Sequence, residues 1–177
     1  AAPVLIGVPA GGTTPQLDTL QAWVQHCAAC GIPSEWTMQI DAALWGKVFY
    51  NAALNPLGAL LGVPYGVLGE YADTRAMMDA VMTESFAVAA AEGVSLPWAS
   101  AQAYQQVFYE TLLPSTARHR ASMLQDIERG RATEIDAING AVWQRGMVHG
   151  IATPTNALLT RLVHAREATG KGNSSCT

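Results

Sequence analysis

Lysine is almost missing from this 177-residue chain: Lys47 and Lys171 stand against eight arginines. Charge of any kind is sparse, at 14% of residues, while half the residues are hydrophobic. Such a composition excludes a disordered chain. A mass of 18.7 kDa suffices for one domain with a buried core, or for one domain and a remnant of another. Ten basic residues face fourteen acidic ones, and no basic run interleaves with aromatics, so a nucleic-acid partner is not expected. Cysteines number three, too few for a disulfide framework, which fits a reducing, cytoplasmic setting. Cys27-Ala28-Ala29-Cys30 is a lone CxxC with only His26 nearby. It reads as two small residues at a helix end more readily than as a redox or zinc pair, and no metal site is expected. No charged n-region stands at Ala1, so no secretory signal is expected, and a start without Met suggests a processed or truncated chain. No G-x-G-x-x-G occurs, so the phosphate-cradling turn of a dinucleotide site is absent.

What is present is alanine, 30 residues of it, and long apolar stretches that favour helices. Val48 to Gly69 runs for 22 positions without a formal charge. That is long enough for a bilayer, but Asn51, Asn55, Pro56, Pro64 and four glycines interrupt it. It reads as a buried helix, a bend and a second short helix, and no membrane contact is expected. Val4 to Val8 reads as a strand, Thr14-Pro15 opens a helix, and Ile32 to Met38 reads as a second strand. Residues 1–38 thus form a strand–helix–strand remnant of an α/β unit. The rest reads as helical. Asp41 caps a helix ending at Leu54, and another follows Pro56. Further helices span Thr74–Glu92, Ser100–Leu113, Ser122–Glu128, Thr133–Val148 and Thr155–Ala168, mostly closed by glycine. The expected organisation is an α/β remnant over 1–38, an all-helical domain over 39–170 and a flexible tail over 171–177.

Lys47 is the only charged residue between Asp41 and Glu70. In a sequence whose default cation is arginine, a lysine amid apolar residues asks for a reason. Desolvation makes lysine a usable proton donor near neutrality; snorkelling to water is the alternative. Asn51 and Asn55 follow at i+4 and i+8, each step drifting only about 40° around a helix. The three therefore share one face, where two amides suit a ligand bearing carboxylate, carbonyl or hydroxyl groups. Asn55 precedes Pro56 and could instead cap the next helix. Asn51 could be a buried interhelix bond. Ser122, in Ser-x-x-Gln, reads as a helix cap, as does Thr133. Glu134 then lies in a first helical turn, where the dipole favours an ionised carboxylate able to accept from hydroxyls. Asp136 reads as part of the cap.

Several stretches, in order, resemble the ketopantoate reductase (2-dehydropantoate 2-reductase) family. They are Trp45-Gly46-Lys47, Asn51-Ala52-Ala53-Leu54-Asn55-Pro56-Leu57, Ser122-Met123-Leu124-Gln125-Asp126, Arg131 to Gly140, and His149-Gly150-Ile151-Ala152-Thr153-Pro154-Thr155-Asn156. The resemblance covers about residues 4–168. It implies the mainly α, multi-helix C-terminal domain of a two-domain reductase, preceded by a short β-α-β remnant of a Rossmann domain. It implies NADPH-dependent reduction of a 2-oxo acid in pantothenate biosynthesis, in a cleft against the missing N-terminal Rossmann domain. By the same resemblance Lys47 matches a proton donor, Asn51, Asn55 and Ser122 match substrate-contacting positions, and Glu134 matches a cofactor-contacting glutamate. The sequence departs from the family at Tyr65, where many members carry a substrate-binding Asn. Phenol for amide leaves a different 2-oxo acid as an alternative. A non-catalytic helical interaction module is the alternative from another class. Without its partner domain, the chain is expected to self-associate.

Overall fold

The computed structural model describes residues 3–9 and 14–173, with the backbone alone for 14–17 and 170–173. Two compact units emerge: residues up to Gly46 together with Val94–Pro97, and Lys47–Gly93 together with Trp98 onward.

In the first unit, β1 (Val4–Gly7) and β2 (Ser34–Thr37) pair in parallel, with Val4 opposite Ser34 and Gly7 opposite Thr37. Parallel neighbours need a crossover, and α1 (Thr14–Ala29) supplies it. The helix stops because Gly31 adopts φ 79°, letting Ile32 N–H reach back to Cys27 O at 2.9 Å. A side chain at Gly7 would meet Ile40 Cβ at 2.5 Å, so only glycine fits there. Val4, Leu5, Trp36, Met38 and Leu44 stay exposed. Cys27 and Cys30 are free thiols, and the Cys30 Sγ lies 4.0 Å from His26 Nε2. Among the described residues no group of three or more metal-ligating side chains converges.

The second unit is helical. α2 (Ile40–Leu61) runs into it at Lys47; α3 (Tyr65–Leu68), α4 (Ala72–Ala91) and α5 (Ala101–Val107) follow. α5 continues through a π turn (Phe108–Leu112) into α6 (Leu113–Ser115). Then come α7 (Ser122–Glu128), a second π turn (Asp136–Gly140), α8 (Ala141–His149) and α9 (Pro154–Asn173). α9 carries through Gly170–Asn173, and the remainder of the expected flexible tail lies outside the described residues. The core is built around α2, which is buried on every side from Ala52 to Ala59, as an uncharged helix must be. Phe49 meets Tyr104 edge-on at 5.1 Å, and Tyr104 in turn meets Trp98 at 4.6 Å. No helix among the described residues is long and apolar enough to cross a membrane.

Three expectations need correction. The uncharged stretch is not broken before Pro56: α2 is continuous through it. Proline has no N–H, so the carbonyl four residues back, on Ala52, loses its helical partner. Asn139 Nδ2 donates to that oxygen at 3.1 Å, which removes the reason for a break. The helix expected over Ser100–Leu113 does not stop at Leu113: Pro114 sits inside its last turn, at the first positions of α6, where a missing N–H costs little. The helix expected to begin at Thr133 begins instead with the π turn at Asp136, whose carboxylate faces His164 Nε2 at 3.1 Å rather than capping.

Candidate active site

α2 presents Lys47, Asn51 and Asn55 along one face, and their exposure falls in that order. Lys47 is exposed, Asn51 half-buried and Asn55 only 4% exposed. The row thus runs from solvent into the interior. Of the two readings of Lys47, desolvation among apolar residues and snorkelling to water, the exposure fits the second: at this level of the helix its side chain reaches solvent. Its ammonium makes no hydrogen bond or ion pair among the described residues.

Asn55 is the inner anchor. Its Oδ1 accepts from the Tyr65 hydroxyl at 2.9 Å and from Ser122 Oγ at 3.3 Å. Both bonds fall on the oxygen, so the two N–H donors of the amide remain for another acceptor. Ser122 was expected to cap α7. It is instead the first helical residue; Ala121 holds the cap position, with no side-chain bond to the helix. The Ser122 hydroxyl prefers a partner 67 residues away in sequence. Asn55 likewise sits inside α2 rather than capping a following helix.

Local packing sets these positions. Tyr65 N–H donates to His119 O at 3.0 Å and Gly66 N–H to Ala117 O at 2.9 Å, tying α3 to the approach to α7. A Cβ at Gly66 would stand 2.9 Å from Ala117 Cβ, so glycine permits the approach. Gly58 does the same for Ala121, which a Cβ there would meet at 3.1 Å. The Tyr50 ring stands edge-on to Tyr65 at 6.1 Å, and its hydroxyl pairs with Thr116 Oγ1 at 2.5 Å. Burial, and then the neighbouring Tyr50, push the Tyr65 phenol up to about 12, so it stays a protonated donor.

Behind the row lies a relay of buried amides. The second N–H of the Asn139 amide goes to Asn156 Oδ1 at 3.0 Å. Asn156 Nδ2 goes to Glu84 Oε2 at 2.7 Å. Glu84 also accepts the backbone N–H groups of Thr155 and Asn156, at 2.9 and 3.0 Å. These are orphan donors of the first turn of α9, following Pro154 at its start, and a carboxylate suits that positive end. Sequence reasoning missed Glu84, Asn139 and Asn156. The one available signal was Pro56, which obliges some donor to reach Ala52 O.

Glu134 is exposed, in the bend before the second π turn rather than in a first helical turn. Its carboxylate has no partner among the described residues, and no contact joins it to the Asn55 group. Thr133 makes a local turn: its Oγ1 accepts from Ile135 N–H at 3.3 Å, and its own N–H donates to Glu167 at 2.7 Å.

Residues 39–167 match the family described as Ketopantoate reductase PanE/ApbA C terminal. The 2-dehydropantoate 2-reductase of Aquifex aeolicus (strain VF5) is 42% identical over 166 residues, covering 93% of this chain and 52% of that protein. The chain spans about half the length of the curated relatives it matches. Among solved structures, a PanE/ApbA family ketopantoate reductase from Ralstonia eutropha JMP134 aligns at TM-score 0.74 and 35% identity, covering 94% of this chain and 52% of that one. D-mandelate dehydrogenase with NADH and anilino(oxo)acetate aligns at 0.80 and 28% identity, covering 94% and 53%. On the extent of the match and the helical architecture, the chain belongs to the ketopantoate reductase family, as its C-terminal helical domain.

Proposed function

We propose that this chain is the substrate-side part of an NADPH-dependent reductase that converts a 2-oxo acid to the 2-hydroxy acid, of the ketopantoate-to-pantoate type, in the cytoplasm. The observation that carries the reading is the Lys47–Asn51–Asn55 row on α2, with Ser122 and Tyr65 converging on Asn55.

The residues present fit only part of such a cofactor. Glu134 offers an exposed carboxylate to hydroxyl groups, whereas the sequence holds no glycine-rich turn for a pyrophosphate. When bound, a nicotinamide supplies the hydride that adds to the carbonyl carbon. The chain's own work is at the oxygen. As the C=O electron pair moves onto oxygen, the Lys47 ammonium stabilises the developing charge and gives up a proton to it. The neutral amine is then reprotonated from solvent, which its exposure allows. Asn51 and Asn55 orient the substrate by donating to its oxygens, and Ser122, beside Asn55, contacts it from α7.

A second 2-oxo acid is supported by the D-mandelate dehydrogenase likeness, whose bound anilino(oxo)acetate carries an aryl group. The exposed apolar residues of the two-stranded unit support contact with a further α/β domain or, without it, self-association.

The test joins this chain to the dinucleotide-binding half of the Aquifex aeolicus relative and follows NADPH oxidation with ketopantoate and with phenylglyoxylate. Turnover of either acid is expected. A folded fusion that oxidises NADPH with neither would overturn the reading.

A further inference from the structure

Tyr65 has one proton to give, and it gives it to Asn55 Oδ1 at 2.9 Å. A phenol is a good donor and a poor acceptor, because its oxygen lone pair delocalises into the ring. It therefore favours the amide oxygen over the amide nitrogen as its neighbour. Tyr65 is itself held in place. It is 6% exposed, fixed through its backbone to His119 and braced by the edge of Tyr50. Ser122, exposed and at 3.3 Å, is the weaker of the two partners and is free to turn toward a ligand. Burial keeps the phenol protonated up to about pH 12, so its direction of donation does not change over any assay range.

We infer that Tyr65 is a positioning residue that acts through Asn55, turning its amide so that the two N–H donors, and not the oxygen, face the substrate. The group received there is consequently an acceptor, the carboxylate or oxo oxygen of a 2-oxo acid. Because its proton is spent on Asn55, Tyr65 offers no donor of its own. An asparagine at this place would bring a second pair of donors, so the Tyr65 site recognises fewer oxygen atoms and favours acids with apolar side chains. This inference rests on the reductase reading above.

The experiment uses the full chain labelled with nitrogen-15, and anilino(oxo)acetate as probe. In the wild type, the Asn55 NH2 resonances should shift on titration. In Tyr65→Phe those resonances should already differ without probe, and affinity should fall about tenfold. In an Asn55→Ala background, Tyr65→Phe should change affinity by less than twofold, a result that a general loss of stability would not produce. Asn55→Asp, which keeps the acceptor for Tyr65 but replaces the donors by oxygen, should bind more weakly than Asn55→Ala. A wild-type chain that does not respond to the probe overturns the reductase reading. Unmoved Asn55 NH2 resonances in Tyr65→Phe overturn the positioning role, as does wild-type probe affinity in Tyr65→Phe or in Asn55→Asp.

Discussion

Asn139→Ala should be among the costliest single changes in the helical unit, and its cost should depend on Pro56. Asn139 is 0% exposed and uses both amide protons, one on Ala52 O and one on Asn156 Oδ1. Truncation strands both oxygens in the interior, at about 1–3 kcal/mol each. Asn139 Oδ1 has no partner among the described residues, so removing it returns about 1 kcal/mol of an existing penalty. With about 2 kcal/mol as the central value for each stranded oxygen, the net loss is about 3 kcal/mol. With a urea dependence of about 2 kcal/mol per molar, the unfolding midpoint should fall by about 1–2 M. Pro56→Ala restores an N–H four residues after Ala52. In that background Ala52 O keeps a helical donor when Asn139 is truncated, so the second loss should shrink by about 1–1.5 kcal/mol. Urea unfolding of the wild type, both single variants and the double variant, followed by circular dichroism, measures that coupling. Effects that add within about 0.3 kcal/mol would refute the assignment of Asn139 as the donor that replaces the proline's missing one.

In the fused reductase, Lys47→Ala should lower kcat by about 10²–10⁴-fold, whereas Asn51→Ala should mainly raise KM; steady-state kinetics separates the two, and a kcat within about threefold of wild type would remove Lys47 from the mechanism. This chain by itself should show no reductase activity and only weak NADPH binding, because it lacks the glycine-rich turn; micromolar or tighter binding in calorimetry would contradict this. Gly66→Ala forces a Cβ to within 2.9 Å of Ala117 Cβ and should cost about 1–3 kcal/mol in urea unfolding while displacing Tyr65. Alkali should destabilise the fold. Tyr65 holds its proton to about pH 12 when folded and to about 10 when unfolded, so between those values the unfolded chain has released a proton that the native chain retains. The stabilisation is whole below pH 10 and is lost as pH rises through 12. Urea midpoints from pH 9 to 11 should fall less steeply in Tyr65→Phe.

Much of the local architecture was legible because its causes are local. Gly31, Gly93, Gly130 and Gly150 all adopt positive φ where helices stop, and Ser100 caps α5 by accepting from Ala103 N–H at 3.2 Å. The strand–helix–strand start followed from the short runs Val4–Val8 and Ile32–Met38 and the helix opening at Thr14-Pro15. The face shared by Lys47, Asn51 and Asn55 followed from helical spacing alone. What failed depended on partners far away in sequence. Ser122 reads as a cap because a Ser-x-x-Gln pattern is a local signal, but Ala121 takes the cap position and the Ser122 hydroxyl donates to Asn55 Oδ1 instead. The two π turns carry no local signature at all. Tyr65 drew notice as a departure from the family pattern, yet nothing in the sequence said that its proton would go to Asn55.

Pro56 shows how fold and site depend on the same atoms. In a helix interior, proline costs about 3 kcal/mol or more and usually kinks or ends the helix. Ending α2 there would release Asn55 from the end of the Lys47–Asn51 row. Asn139 prevents that, and is itself held by Asn156, which is held by Glu84 on α4. The carbonyl that Pro56 frees thus becomes an attachment point, one turn before Asn55, for a chain of bonds reaching α9 and α4. Tyr65 and Ser122 fix the same residue from α3 and α7. Asn55 is therefore located by elements drawn from across the helical unit. An amide that orients a substrate, the role proposed for Asn55, needs placement within about 0.5 Å. The proline that looks like a defect in the helix provides part of that placement, because an ordinary residue at position 56 would have satisfied Ala52 locally and left the relay nothing on α2 to hold.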